Sequence, residues 1–250
     1  MARLTDDGME EGRIGGGNFT YTGARIERLG ATEYTLVTIA VDETGSVAGW
    51  ENDLRSALVA AVESCKRSPR SDNLLARVVT FGSQYRNGVN EIHGFKPLAE
   101  IDVAQYPDIC PGGMTPLNDA VFSAVGAMNA YGKQLVNQDF GVNAIAFVIT
   151  DGYDNASVTS LAMIKEEIRK AIVGEQVESI VTVLIGVNAT EYAATLQAFK
   201  DEAGMTQFID IGEATKGKLA KLAQFVSQSV SSQSQALGTG GPSQNIAAVI

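Results

Sequence analysis

The stretch Tyr34-Thr35-Leu36-Val37-Thr38-Ile39-Ala40-Val41, running straight into Asp42-Glu43-Thr44-Gly45-Ser46, decides the fold. Eight residues rich in β-branched and apolar side chains suit a strand, and a strand apolar on both faces must be covered on both. Four more runs read as strands, Ala76 to Gly82, Ala144 to Thr150, Ser179 to Gly186 and Thr206 to Gly212, and three of the five are apolar on both faces. Amphipathic segments lie between them, at Gly49 to Arg67, Thr115 to Tyr131, Ser160 to Val173, Thr190 to Glu202 and Lys216 to Ser234. Strands alternating with helices predict an α/β, doubly wound, mostly parallel sheet. Ser160 and Thr190 offer capping hydroxyls at two of the helix starts, Thr190 beside the acidic Glu191. Glu91 to Ile101 breaks the alternation. It follows the turn-like Arg86-Asn87-Gly88 and carries Pro97, so an antiparallel edge strand paired with Ala76 to Gly82 is expected there.

The flanks look different. Residues 1–30 contain Gly15-Gly16-Gly17 and scattered charge, and residues 235–250 are rich in Gly, Ser and Gln. The expected organisation is a flexible extension over 1–30, one domain over 31–234 and a flexible tail over 235–250. The tail's apolar ending, Ile246 to Ile250, suits docking on a partner or on the domain itself.

Composition narrows the chemistry. With 19 Lys plus Arg against 29 Asp plus Glu, the 250-residue chain carries a net charge of −10, which opposes attraction to phosphate backbones and anionic membranes. Neither nucleic acid nor membrane is an expected partner. Cys65 and Cys110 are too few and too far apart for a disulfide framework or a thiolate metal site. The first 17 residues hold four acidic side chains and no apolar run, and no stretch approaches the roughly 18 apolar residues of a membrane helix. A cytoplasmic protein is expected, in the host cytoplasm if phage-encoded. His93 is the single histidine and falls in the expected edge strand, so histidine-dependent hydrolysis lacks its base. Trp50 reads as a packing residue at a helix start.

In an open parallel sheet, ligands bind beyond the carboxyl ends of the strands. There Asp42, Thr44 and Ser46 occupy alternate residues of one turn, Asp151-Gly152 follows the strand Ala144 to Thr150, and Gly112-Gly113-Met114-Thr115-Pro116 opens a helix. Two carboxylates and three hydroxyls, without His or Cys, form a donor set for a hard divalent cation. Magnesium fits best, with manganese and calcium as alternatives. Plainer roles exist for each residue alone: Asp42 and Ser46 as helix caps, Thr115 as an N-cap ahead of Pro116, Asp151-Gly152 as a turn. Their joint placement at strand ends favours the cation. Glu43, Asp119 and Asp154 sit near the same rim and read as solvated loop charges outside the metal shell.

At these residues the chain resembles von Willebrand factor A-type (vWA) domains, in particular small stand-alone bacterial and phage members with a metal-ion-dependent adhesion site. The resemblance rests on Asp42-Glu43-Thr44-Gly45-Ser46, on GGMTPLNDA around Thr115 and on VITDGYDNAS around Asp151. Thr44 stands where the family has Ser, which keeps the hydroxyl and adds a methyl. The resemblance implies a Rossmann-like domain in which Thr44, Ser46 and Thr115 contact the cation directly or through water. Asp42 and Asp151 then act mostly through water or orient the hydroxyls. It also implies a partner protein whose Asp or Glu completes the coordination, and no enzymatic activity.

Two other functions compete. A component of a larger assembly or phage particle could carry the metal site as an ancillary feature. A magnesium-dependent phosphatase of the haloacid dehalogenase kind also places an Asp after its first strand, but its general acid two residues on is here Thr44. Oligomeric state is left open.

Overall fold

The computed structural model describes residues 8–15, 18–174 and 176–240. The strands are β1 (Met9–Arg13), β2 (Thr20–Ala24), β3 (Glu33–Asp42), β4 (Leu74–Phe81), β5 (Val89–Pro97), β6 (Gly141–Thr150), β7 (Ser179–Gly186) and β8 (Gln207–Asp210). The helices are α1 (Glu51–Lys66), α2 (Leu117–Val136), α3 (Leu161–Val173), α4 (Ala193–Ala203) and α5 (Lys216–Thr239). One sheet runs in the order β1-β2-β5-β4-β3-β6-β7-β8. From β4 to β8 across that order every pairing is parallel, while β5 lies antiparallel to β4. Helices α1 and α5 pack together over one face, and α2, α3 and α4 cover the other. The buried Val and Ile runs therefore have apolar partners on both sides, as the sequence predicts.

From β3 the chain builds outward to β4 and β5, then returns to β6 on the other flank of β3 and continues to β7 and β8. The strand order thus reverses between β3 and β6. Loops leaving their carboxyl ends diverge over a crevice, the usual ligand position in open α/β sheets.

Three expectations need correction. Residues 9–13 and 20–24 are not a loose extension: they are β1 and β2, an antiparallel pair that joins the sheet beyond β5. β5 is therefore not the edge. Burial drives this docking, since Ile14, Phe19 and Tyr21 are sunk in the core and Phe95 stacks on Tyr131 at 5.3 Å, with Tyr21 inclined against both rings. The Tyr131 hydroxyl also donates to the Ala24 carbonyl at 2.6 Å. A side chain at Gly94 would place its Cβ 2.0 Å from the Thr22 carbonyl, so the close approach of β2 requires glycine.

The second correction is at the other end, where α5 continues to Thr239 through the Ser and Gln run. Leu237 is buried, and the turn before it is anchored by Asn143, which donates to the Gln233 backbone carbonyl at 2.7 Å, and by Arg70, which donates to Ser234 Oγ at 3.1 Å. Ile246 to Ile250, with residues 1–7 and Gly16-Gly17, lie outside the described residues. Third, Thr190 caps no α-helix. It opens a short 3-10 turn, and Tyr192 precedes α4 without a side-chain cap. Ser160 does cap α3, accepting from the Met163 amide. Trp50 is buried among apolar neighbours, and both cysteines are free.

His93 is tied into this frame. Its Nδ1 lies 2.9 Å from the Gly94 carbonyl and its Nε2 2.8 Å from the Tyr106 hydroxyl. A carbonyl only accepts, so Nδ1 carries the proton and Nε2 accepts from Tyr106. Burial lowers the imidazole pKa to about 4, with the Lys96 and Arg77 charges acting in the same direction. The unfolded chain takes up this proton near pH 6.5 and the folded one only near 4. Stability is therefore lost as pH falls through that window, by up to about 3 kcal/mol. Urea unfolding of wild type and His93→Gln should converge as pH drops from 6.5 to 4. Parallel pH dependences would show that the ring is not held neutral.

Candidate metal centre

Each loop around the crevice is shaped by its own sequence. After β3, the Asp42 carboxylate accepts the Thr44 amide at 2.9 Å, folding Asp42-Glu43-Thr44 into an Asx turn. Gly45–Val47 then forms a 3-10 turn that leaves Ser46 on the surface. The Gly45 amide donates to the Gly113 carbonyl at 3.2 Å, tying this loop to the one before α2. Gly113 has φ +70°, and a Cβ there would sit 2.6 Å from Ser83 Oγ. The glycine lets Ser83 grip the loop, its hydroxyl accepting the Met114 amide at 2.8 Å and its amide donating to the Met114 carbonyl at 3.0 Å. After β6, the chain turns at Asp151-Gly152, with the Thr150 hydroxyl accepting the Gly152 amide at 3.2 Å.

These loops bring all five sequence candidates together. Ser46 Oγ donates to Asp151 Oδ1 at 2.7 Å, bridging the crevice from the β3 side to the β6 side. Thr44 Oγ1 lies 3.1 Å from Ser46 Oγ, and Thr115 Oγ1 lies 3.4 Å from Thr44 Oγ1. Beneath them the second Asp42 oxygen accepts the Thr150 hydroxyl at 2.7 Å. Asp42, Thr44, Thr115 and Asp151 are all at most 5% exposed, so the cluster opens to solvent on the Ser46 side.

The arrangement fits a small hard cation. Neighbouring ligands of an octahedral magnesium, bonded at about 2.0–2.1 Å, stand about 3 Å apart. The hydroxyl separations of 3.1 and 3.4 Å lie close to that edge length. Among the described residues no cluster of three or more His, Cys, Asp or Glu is placed to hold a metal, so the donor set here rests on hydroxyls rather than on nitrogen, thiolate or carboxylates alone.

Electrostatics point the same way. Burial raises the Asp42 pKa to about 6, and the nearby Asp151 charge adds to the rise against hydrogen bonds from Thr44 and Thr150. Asp151 is likewise raised by burial, opposed by the Ser46 hydroxyl. No Lys or Arg offsets either carboxylate among the described residues. Two poorly compensated anions under three neutral hydroxyls make a site that a cation would relieve.

The plainer capping roles are not what these residues do. The residue preceding α2 in the cap position is Pro116, with no side-chain cap, and Thr115 Oγ1 turns to Thr44 instead. Helix α1 starts after Trp50, also uncapped, well past Asp42 and Ser46.

Two rim charges read as solvated are in fact buried. Glu43 accepts the Cys110 amide and the Tyr85 hydroxyl, each at 2.7 Å, and so pins the loop before α2. Asp119 accepts the Val158 and Thr159 amides and the Thr159 hydroxyl, fixing the loop after β6. Asp154 accepts the Asn118 amide at 3.1 Å at the start of α2. Thr150 and Asn155 were not visible as supporting residues. Thr150 orients Asp42, and Asn155 Oδ1 accepts the Thr115 amide at 2.7 Å. A hydroxyl immediately before the strand-end Asp151 was the available signal for Thr150.

No family model matches the chain, and no curated protein sequence matches it. Solved structures do. The pilus adhesin SpaC from Lactobacillus rhamnosus GG, in its open conformation, aligns with a TM-score of 0.55 at 10% identity over 90% of this chain and 32% of the adhesin. The proximal thread matrix protein 1 of the mussel byssus, in a structure with a zinc-occupied MIDAS (metal-ion-dependent adhesion site) motif, aligns with a TM-score of 0.52 at 17% identity over 80% of this chain and 46% of that one. This chain thus spans about a third of the first and under half of the second. At such identities the likeness speaks for the fold alone. The chain has a von Willebrand factor A-like fold, a mixed, mostly parallel sheet between two helical layers.

Proposed function

We propose that this protein is a non-enzymatic, divalent-metal-dependent interaction module whose cation, held by Thr44, Ser46 and Thr115 over Asp42 and Asp151, takes a carboxylate from a partner protein. The observation that carries this reading is the hydroxyl cluster drawn from three loops, spaced at 3.1 and 3.4 Å and open to solvent at Ser46. Neutral ligands leave a bound ion's charge largely uncompensated, which suits capture of an anionic group. Magnesium is the ion of choice because the donors are all oxygens. A phosphatase of the Asp-nucleophile kind lacks support, since Thr44 stands where a general acid would be needed.

The surroundings suit a protein partner. Met114, Tyr153 and Val158 are 56, 45 and 81% exposed and sit on the loops that carry Thr115 and Asp151. Tyr153 is braced edge-on against Tyr192 at 5.1 Å. An apolar collar around a charged centre resembles the core of a protein interface. The cytoplasm of a bacterium, or of a phage host, is the compartment we propose, in keeping with two free cysteines, one of them exposed. Among the described residues no helix is long and apolar enough to cross a membrane.

A second reading, an assembly component with an ancillary metal site, draws support from Ile172 and Val173, exposed at the far end of α3 from the crevice.

The test is thermal unfolding in EDTA and across a magnesium series. A ligand confined to the native state adds about 2.7 kcal/mol at a hundred times its dissociation constant. Wild type should gain stability with magnesium, and Thr115→Ala and Ser46→Ala should gain little. Identical melting temperatures for wild type at every magnesium concentration would remove the metal from this reading.

A further inference from the structure

A second polar site lies away from the crevice. Among the described residues, strand β2 is bridged to β5 in parallel at Gly23 and Phe95, with no paired register at Thr20. The gap is framed at its other end by Asn87, whose side-chain amide donates to the Asn18 carbonyl at 2.9 Å. Between these two ties is a cavity of about 510 Å³, within the roughly 300–1,000 Å³ range of small-molecule sites.

Its floor is charged. Arg77 projects from β4, a strand otherwise composed of buried apolar residues and Thr80, and is 1% exposed. Its Nε donates to Glu91 at 2.7 Å, and its two terminal nitrogens reach Ser123 Oγ at 3.2 Å and the Ser123 carbonyl at 3.4 Å. Glu91 is saturated in turn by Thr22, whose hydroxyl donates at 2.7 Å and whose amide donates at 3.0 Å. A guanidinium has five N–H groups. Three are engaged here, and the long bonds to Ser123 are the weakest. A buried ion pair of this kind costs desolvation that an apolar pair of similar volume would not.

Arg13 and Arg86 line the same cavity, are exposed, and have no carboxylate partner among the described residues. Glu11 lines it too. Three arginines against Glu11 and Glu91 give the cavity a positive balance in a protein whose net charge is −10.

We propose that this cavity binds a small organic phosphate, with the phosphate drawn by Arg13 and Arg86 at the mouth, above a floor that carries the Arg77 guanidinium. Guanidinium forks match phosphate oxygens in geometry and charge. The volume exceeds what a bare phosphate fills, and Phe19 and Val89 supply apolar wall for an organic body. The site is independent of the metal centre, being built on the hairpin, β5 and α2.

Isothermal titration of the full chain tests this, in EDTA so that no divalent cation recruits phosphate elsewhere. The probes are AMP, glucose 6-phosphate, inorganic phosphate and adenosine. At least one of the two esters should bind more tightly than inorganic phosphate, adenosine should not bind, and Arg13→Ala and Arg86→Ala should each weaken the ester about tenfold. Ser46→Ala should leave it unchanged, which separates this result from any failure of the metal centre. Arg86→Lys controls for charge alone and should recover only part of the loss, since lysine lacks the fork. No binding by either ester, equal affinity in both alanine variants and wild type, or inorganic phosphate binding as tightly as the esters would overturn the proposal. The alanine variants alter exposed side chains, so their folding is not at stake.

Discussion

Asp42→Asn should make the protein more stable in EDTA and, in the same molecule, abolish its stabilisation by divalent cations. The first effect follows from burial. Asp42 is fully buried, and its pKa is raised from 3.8 to about 6, mainly by desolvation and further by the Asp151 charge. A carboxyl whose folded pKa lies above its unfolded one contributes most below pH 3.8, and that contribution is lost as pH rises through about 6. Above pH 6 the ionised group therefore costs about 3 kcal/mol relative to the same group in the unfolded chain. Asparagine removes the charge while keeping the local bonds. Its Oδ1 accepts the Thr44 amide as before, and its Nδ2 donates to Thr150 Oγ1. Thr150 in turn points its proton to the Gly152 carbonyl, already 3.0 Å away. The advantage of Asp42→Asn over wild type in EDTA should accordingly appear between pH 4 and 6 and stay level above. With magnesium the gap narrows, because wild type gains binding energy that the variant lacks, about 2.7 kcal/mol at a hundred times the dissociation constant, and the order reverses only as the ion approaches about a thousand times that constant. A variant less stable than wild type in EDTA at neutral pH would mean that Asp42 is needed as a structural acceptor, and that relief of buried charge does not drive cation binding.

The parts of the fold that were legible are those in which local pattern and tertiary burial agree. The strands β3, β4, β6 and β7 are sheathed on both faces, so their Val and Ile runs carry the whole signal. The hairpin β1–β2 escaped because its strands are short and its face toward β5 depends on Tyr21 meeting Phe95 and Tyr131, residues far apart in sequence. The end of α5 escaped for a related reason. Its last residues, from Gln235 on, resemble a solvated linker, and only the burial of Leu237 and the anchoring of the preceding turn by Asn143 and Arg70 show that the helix goes on. At the candidate site, the placement of hydroxyls and carboxylates at strand ends was enough to expect that Asp42, Thr44, Ser46, Thr115 and Asp151 meet in the crevice. Glu43 and Asp119 were not, because a charge that pins loop amides looks in sequence like one that faces water.

Partner binding should fall by roughly a hundredfold or more when magnesium is replaced by EDTA, and by as much in Ser46→Ala or when the partner's coordinating Asp or Glu is neutralised. The size comes from the loss of one member of a close, partly desolvated charge pair, which typically costs 2–5 kcal/mol or more. At −10 this protein repels an acidic partner at long range, though only weakly beyond a Debye length of about 8 Å at physiological salt. Without the ion, Asp42 and Asp151 under the hydroxyls turn that repulsion into a local barrier. With it, the hydroxyl shell adds no negative charge to set against the incoming carboxylate. The apolar collar contributes separately. Met114→Ala and Tyr153→Ala should each weaken the complex by a smaller factor, about five- to twentyfold, with the magnesium dependence intact. Affinity measured by calorimetry for each variant in both buffers separates the two contributions. The ion and Ser46 should act as one unit, Ser46→Ala in magnesium binding no better than wild type in EDTA, while the collar variants multiply with either. Undiminished affinity in EDTA would place the partner elsewhere on the molecule, even if magnesium still raised the melting temperature, since a bound ion that no partner touches stabilises the fold without mediating recognition.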